Sequence, residues 1–250
     1  MCRFKTIAYA LTLVAATALS AQQADKPSSF DEWRESRVNT YMNDFAELER
    51  YRSANTALQS VKPEIGRVVF FGDSITDFWK LDEAFPGKPY VNRGISGQTT
   101  PQMLIRFRPD VIDLKPAVVV ILAGTNDIAG NTGPMTVEET EANYASIAEL
   151  ARAHDIKLVF SSILPVHNYT PEAQEFFASR PREKVLALNR WLQDYCAKNG
   201  CVYLDYFSAL TDQKGLLKKE LAEDGLHPNA AGYKIMAPLA EAAIQKALSK

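Results

Sequence analysis

Five short apolar runs punctuate the chain, at Val68–Phe71, Tyr90–Asn92, Val118–Ala123, Lys157–Ser162 and Val202–Asp205, and longer helical patterns separate them. The runs do not alternate polar with apolar, which is the pattern of strands covered on both faces. Strands alternating with helices predict a parallel sheet in a layered α/β domain. Thr100 followed by Pro101 reads as an N-cap with a first-turn proline. Thr136 with Glu139 has the form of a capping box and opens a helix from Val137 to about Ala153, with His154 at its end. Ahead of the first strand, Trp33, Val38, Tyr41, Phe45 and Leu48 recur at helical spacing and predict a helical arm from Phe30 to about Leu58, packed on the domain. At the far end Pro228 can start a helix running to Leu248, which Pro238 should kink or divide.

The first twenty residues change the picture of where such a domain works. Arg3 and Lys5 precede an apolar stretch from Ile7 to Leu19, and small residues follow through Ser20 and Ala21. This is the form of a secretory signal peptide; the stretch is shorter than the about 20 apolar residues of a bilayer span. Three segments result: residues 1–20 as signal peptide, 21–60 as the helical arm and 61–250 as a single α/β domain, secreted or periplasmic. Loss of Arg3 and Lys5 leaves 26 basic against 30 acidic residues, a formal charge of −4, which offers nothing for nucleic acid. Cys2 lies ahead of the apolar stretch, where a lipoprotein cysteine would follow it, so no stable membrane anchor is expected. Cys196 and Cys201 remain after cleavage. They are either joined, as an oxidising compartment allows, or buried as reduced thiols, and spacing alone does not decide between the two.

The candidate chemistry gathers at the strand ends. GDSITD at Gly72–Asp77 follows the first apolar run directly, so Ser74 sits where an open parallel sheet places its reacting groups. Serine needs a base beside it, and DGLHP at Asp224–Pro228 carries a histidine with an aspartate three positions earlier. A turn there can set the carboxylate against one ring nitrogen and leave the other for the serine. NRGISGQTT at Asn92–Thr100 and AGTND at Ala123–Asp127 follow the second and third runs, and a backbone N–H near Gly97 with the Asn126 amide can converge on one oxyanion. Each segment also has a plain reading: DGLHP as a loop that starts a helix, the glycines as tight turns, Asn126 as a loop cap. With three histidines, none in H-x-x-H spacing, a metal-dependent hydrolase has weak support.

Taken together, GDS with Ser74, NRGISG with Gly97, GTND with Asn126, and DGLHP with Asp224 and His227 resemble the four ordered blocks of the SGNH, or GDSL, hydrolase family. The match runs from Phe71 to His227. The resemblance implies a three-layer α/β/α flavodoxin-like fold with a five-stranded parallel sheet in the order 2-1-3-4-5, and a serine esterase that needs no cofactor or metal. It implies Ser74 as nucleophile, His227 as general base and then acid, and Asp224 as its orienting partner. The N–H groups of Ser74 and Gly97 and the side-chain amide of Asn126 would form the oxyanion hole, with Asp73 and Asp127 holding loop geometry. GISGQTT and GTND are also similar to the branch related to platelet-activating-factor acetylhydrolase, which implies short acyl groups, acetyl foremost, on glycans or small esters. Trp79, Arg93 and His167 are candidate walls of the substrate site. Lysophospholipase- or lipase-like hydrolysis, acyl transfer to an alcohol, and a non-catalytic glycan-binding groove stand as alternatives, and the oligomeric state is not legible.

Overall fold

The computed structural model describes residues 30–62 and 64–250, so the expected signal peptide lies outside the described residues. Five strands, β1 (Val68–Gly72), β2 (Tyr90–Gly94), β3 (Val118–Leu122), β4 (Lys157–Ser161) and β5 (Val202–Leu204), form one sheet in the order 2-1-3-4-5. Every pairing is parallel. Adjacent residues on a strand face opposite sides, and both sides are apolar. Val68, Phe70, Val118 and Val120 enter one core, while Val69, Phe71, Val119 and Ile121 enter the other. That double burial is why the strands read as unbroken apolar runs.

Two helices precede the sheet, α1 (Phe30–Asn43) and α2 (Arg52–Gln59); α3 (Ser74–Asp77) and α4 (Leu81–Ala84) fill the β1–β2 connection. Then come α5 (Thr100–Asp110), α6 (Thr125–Ala129), α7 (Val137–Ala153), α8 (Ala173–Ala178), α9 (Arg182–Asn199), α10 (Tyr206–Leu210) and α11 (Ala230–Leu248). Met103 and Phe107 of α5, Ile147 of α7 and Leu188 and Leu192 of α9 cover one face of the sheet. Met236, Ala240 and Ile244 of α11 and Tyr206 and Leu210 of α10 cover the other.

The helical arm differs from its sequence reading. It is two helices, because the Asp44 carboxylate accepts hydrogen bonds from the Leu48 and Glu49 N–H groups and closes a turn where the periodicity predicted continuation. Val38, Phe45 and Leu48 consequently stay exposed. The capping box at Thr136 and Glu139 is present. At α5 the cap is Thr99 rather than Thr100, with Gln102 closing the box. The last helix is capped by the Asn229 side chain and runs unbroken through Pro238. Cys196 in the last turns of α9 and Cys201 just ahead of β5 form a disulfide.

Candidate active site

β1 and β3 are neighbours whose onward connections leave in opposite directions, β1 toward β2 and β3 toward β4. A crevice opens at such a switch point, at the carboxyl ends of the strands. Asp73 ends the strand segment as the N-cap of α3, its side chain accepting the Ile75 N–H, so Ser74 becomes the first residue of a helix and is held by its backbone. Ser74 Oγ donates to Nε2 of His227 over 2.8 Å. His227 Nδ1 donates to Asp224 Oδ2 over 2.6 Å, while Asp224 Oδ1 accepts the N–H groups of Leu226 and His227. Burial alone would raise the Asp224 carboxyl, but the ring hydrogen bond and charge of His227 and these two N–H groups outweigh it and hold the group at about 2. Asp224 therefore stays an acceptor throughout the neutral range.

The loop around His227 is shaped by Gly225, at φ +82°, where a β-carbon would meet the His167 carbonyl oxygen at 2.6 Å and Ala173 at 2.5 Å. His167 is fully buried under it: its N–H donates to Gly225 O, its Nε2 donates to Ala222 O, and its Nδ1 accepts from the Tyr169 N–H. It props the loop and has no face left for a ligand, so its expected place in the substrate wall is corrected. Trp79 packs its ring among Phe70, Phe85, Tyr206 and Tyr233 and also lines a cavity together with Phe78 and Pro228. Arg93 is buried too, its Nε donating to Asn55 Oδ1 and its guanidinium stacked over Tyr51, so its expected place in the substrate wall is corrected as well.

Gly97 and Asn126 come to the crevice from β2 and β3. Gly97 adopts φ +79°, and a β-carbon there would lie 2.5 Å from the Trp33 ring, so α1 packs an aromatic directly over this glycine. The Gly97 carbonyl accepts from Asn131 Nδ2 over 2.9 Å. Asn126 is the second residue of α6; its Nδ2 donates to Gln98 O over 3.0 Å and its Oδ1 accepts from Arg180. Asp127 accepts from the Thr100 N–H and hydroxyl and ties the β3 loop to the start of α5. Arg106, fully buried, ties Gln98, Arg93 O and Gly72 O together beneath the same loops. Asp73 and Asp127 carry carboxyls pushed up by burial, to about 7 and about 6.

The His227 ring lies between two aromatics, Phe78 at 5.2 Å and, edge-on, Phe176 at 5.8 Å between ring centres. Phe176, Trp33 and Arg180 were not singled out from the sequence as site residues; each is a lone side chain outside the blocks, and only chain folding brings it here. Among the described residues no group of three or more His, Cys, Asp and Glu side chains converges as metal ligands.

The sheet order, with a serine after β1 and a histidine–aspartate pair before the last helix, defines a three-layer α/β/α architecture with a Ser–His–Asp line at its crevice. The chain belongs to the GDSL-like Lipase/Acylhydrolase family, which matches residues 70–235, and it is a carboxylic ester hydrolase. A GDSL-like lipase of Bacteroides thetaiotaomicron has a crystal structure 39% identical in sequence, with a TM-score of 0.74 over 82% of this chain and all of that one. The acetylxylan esterase of Geobacillus stearothermophilus is 25% identical over 204 residues, 68% of this chain and 90% of that protein. The Bacillus subtilis lipoprotein YqeF is 33% identical over 93 residues, 36% of this chain; the match spans 38% of YqeF's own length. Among the described residues no helix is long and apolar enough to cross a membrane.

Proposed function

We propose that this protein is an exported serine esterase that removes short acyl groups, acetyl foremost, from glycan or small-molecule esters through an acyl-enzyme. The observation that carries the reading is the unbroken line from Ser74 Oγ through the His227 ring to the Asp224 carboxylate. Ser74 Oγ attacks the ester carbonyl as His227 Nε2 takes its proton, and Asp224 fixes the ring and stabilises the imidazolium. The N–H groups of Ser74 and Gly97 and the Asn126 amide receive the oxyanion. His227 returns the proton to the departing alcohol, and water repeats the sequence on the acyl-serine. The crowding of Trp33 on Gly97 and of Phe78 and Phe176 on His227 favours a small acyl group. The acetylxylan esterase likeness supports an acetyl ester, and the leader with the lipoprotein likeness supports export.

The test is purified protein assayed on p-nitrophenyl esters from acetate to palmitate, with acetylated xylan and acceptor alcohols alongside. Acetate should be preferred, and Ser74→Ala and His227→Ala should lower kcat by several orders of magnitude, roughly 10⁴-fold or more. A Ser74→Ala protein that kept most of its activity, or that still took a fluorophosphonate label, would overturn the nucleophile. Preference for palmitate would overturn the short-acyl reading, and acyl transfer exceeding hydrolysis would move the protein to the transferases.

A further inference from the structure

An amide side chain serves an oxyanion hole only one way round. If the Asn126 amide turned over, its carbonyl oxygen would face the developing negative charge and the stabilisation would become repulsion. Two contacts set its orientation. Gln98 O, an acceptor, takes one Nδ2 hydrogen over 3.0 Å, leaving the second for the substrate. On the other side, Arg180 Nη2, a donor, meets Oδ1 over 3.3 Å. A turned amide would set donor against donor and acceptor against acceptor at both ends.

Arg180 is built into this place. It lies in the link between α8 and α9, is 3% exposed, and spends its guanidinium on the first turn of α6, on α8 and on its own link. Nε donates to Thr125 Oγ1 over 2.9 Å, and Nη1 donates to Ser179 Oγ over 2.8 Å and Phe176 O over 3.3 Å. The same guanidinium lies over the Phe176 ring, which meets His227 edge-on. Among the described residues no carboxylate forms an ion pair with it. Burial pulls its pKa down to about 10 against the more distant charges of Asp73 and Asp224. A buried charge without a partner is costly, and replacing it by an apolar side chain of similar length would save that cost if packing were its only purpose.

We propose that Arg180 is a positioning residue for ester hydrolysis, holding the Asn126 amide with its Nδ2–H toward the oxyanion and joining that half of the hole to the helix that flanks His227. The proposal rests on the esterase reading above. Because Arg180 acts through Asn126, its contribution disappears when Asn126 is gone, and a double-mutant cycle measures this.

The experiment compares wild type, Arg180→Met, Asn126→Ala and the double variant on p-nitrophenyl acetate, with kcat normalised to fluorophosphonate-titrated sites so that misfolded protein is not counted. Arg180→Met should lower kcat by about 10- to 100-fold, as the loss of partners that orient site residues typically does, with KM little changed. In the Asn126→Ala background the same change should cost less than about 3-fold, as expected for residues that act as a unit. If Arg180→Met does not fold, Arg180→Lys, which keeps the charge but not the planar fork, runs the same cycle with the same expectation. Equal losses in both backgrounds, or an unchanged kcat in the Asn126-containing protein, overturn the proposal. Full activity in Ser74→Ala or Asn126→Ala would bring down the reading beneath it instead, so the two failures are distinguishable.

Discussion

At the scale of single residues, short contiguous blocks set the geometry of the crevice. Ser74, Gly97, Asn126, Asp224 and His227 each lie in a short block whose own backbone sets the geometry: a cap, a positive-φ glycine, a helix start, a turn. Arg180 and Trp33 reach the same crevice from segments with no such local signature. Arg93 and His167 stand outside the substrate wall expected of them for a related reason. Nearness to a strand end fixes where a residue starts but not which way its side chain turns, and both turn inward. The loop carrying His227 offers a residue-level prediction. Gly225→Ala would place a side chain at φ +82° and within 2.6 Å of a carbonyl oxygen. The backbone conformation alone costs about 1–2 kcal/mol, so urea unfolding should show at least that loss, together with a fall in kcat as the Asp224–His227 turn shifts. Unchanged stability and rate would mean that the loop is not held by this glycine.

Among the elements, the strands and their parallel order were legible because both faces of the sheet are apolar, whereas breaks within helices were not. The Asp44 turn interrupts a periodicity that otherwise continues, and Pro238, expected to kink or divide its helix, does not divide it. The disulfide joins the end of α9 to the residue before β5, at the edge of the sheet opposite Ser74. It closes a loop of only five residues in sequence separation, and chain entropy for so short a loop is worth about 2 kcal/mol. The Cys196→Ala, Cys201→Ala protein should therefore unfold at slightly lower urea while its normalised kcat stays at the wild-type value. A large loss of kcat would mean that this edge communicates with the crevice.

Across the whole molecule, buried acids set the response to pH. Asp73 and Asp127 have pKa values raised by burial from 3.8 to about 7 and about 6. The unfolded chain releases their protons first as pH rises, so stability falls from about pH 4 up to pH 7 and then levels. Asp224, held at about 2, acts in the opposite sense: its contribution is present above pH 3.8 and is lost as pH falls through 2. Urea unfolding at pH 5 and pH 8 should show wild type losing on the order of a few kcal/mol, and Asp73→Asn losing less. Parallel slopes in the two proteins would show that Asp73 does not titrate in this range. The hydrogen bond between Ser74 and His227 spans 153 residues of chain, nearly the whole sheet and every crossover. A long loop of this kind closes late, because its entropy must be met before its contacts form. On the proposed mechanism, a growing or refolding chain that has not yet docked its last helix holds a serine with no base, and is chemically silent. Hydrolysis that reappears during refolding would thus count only completed molecules.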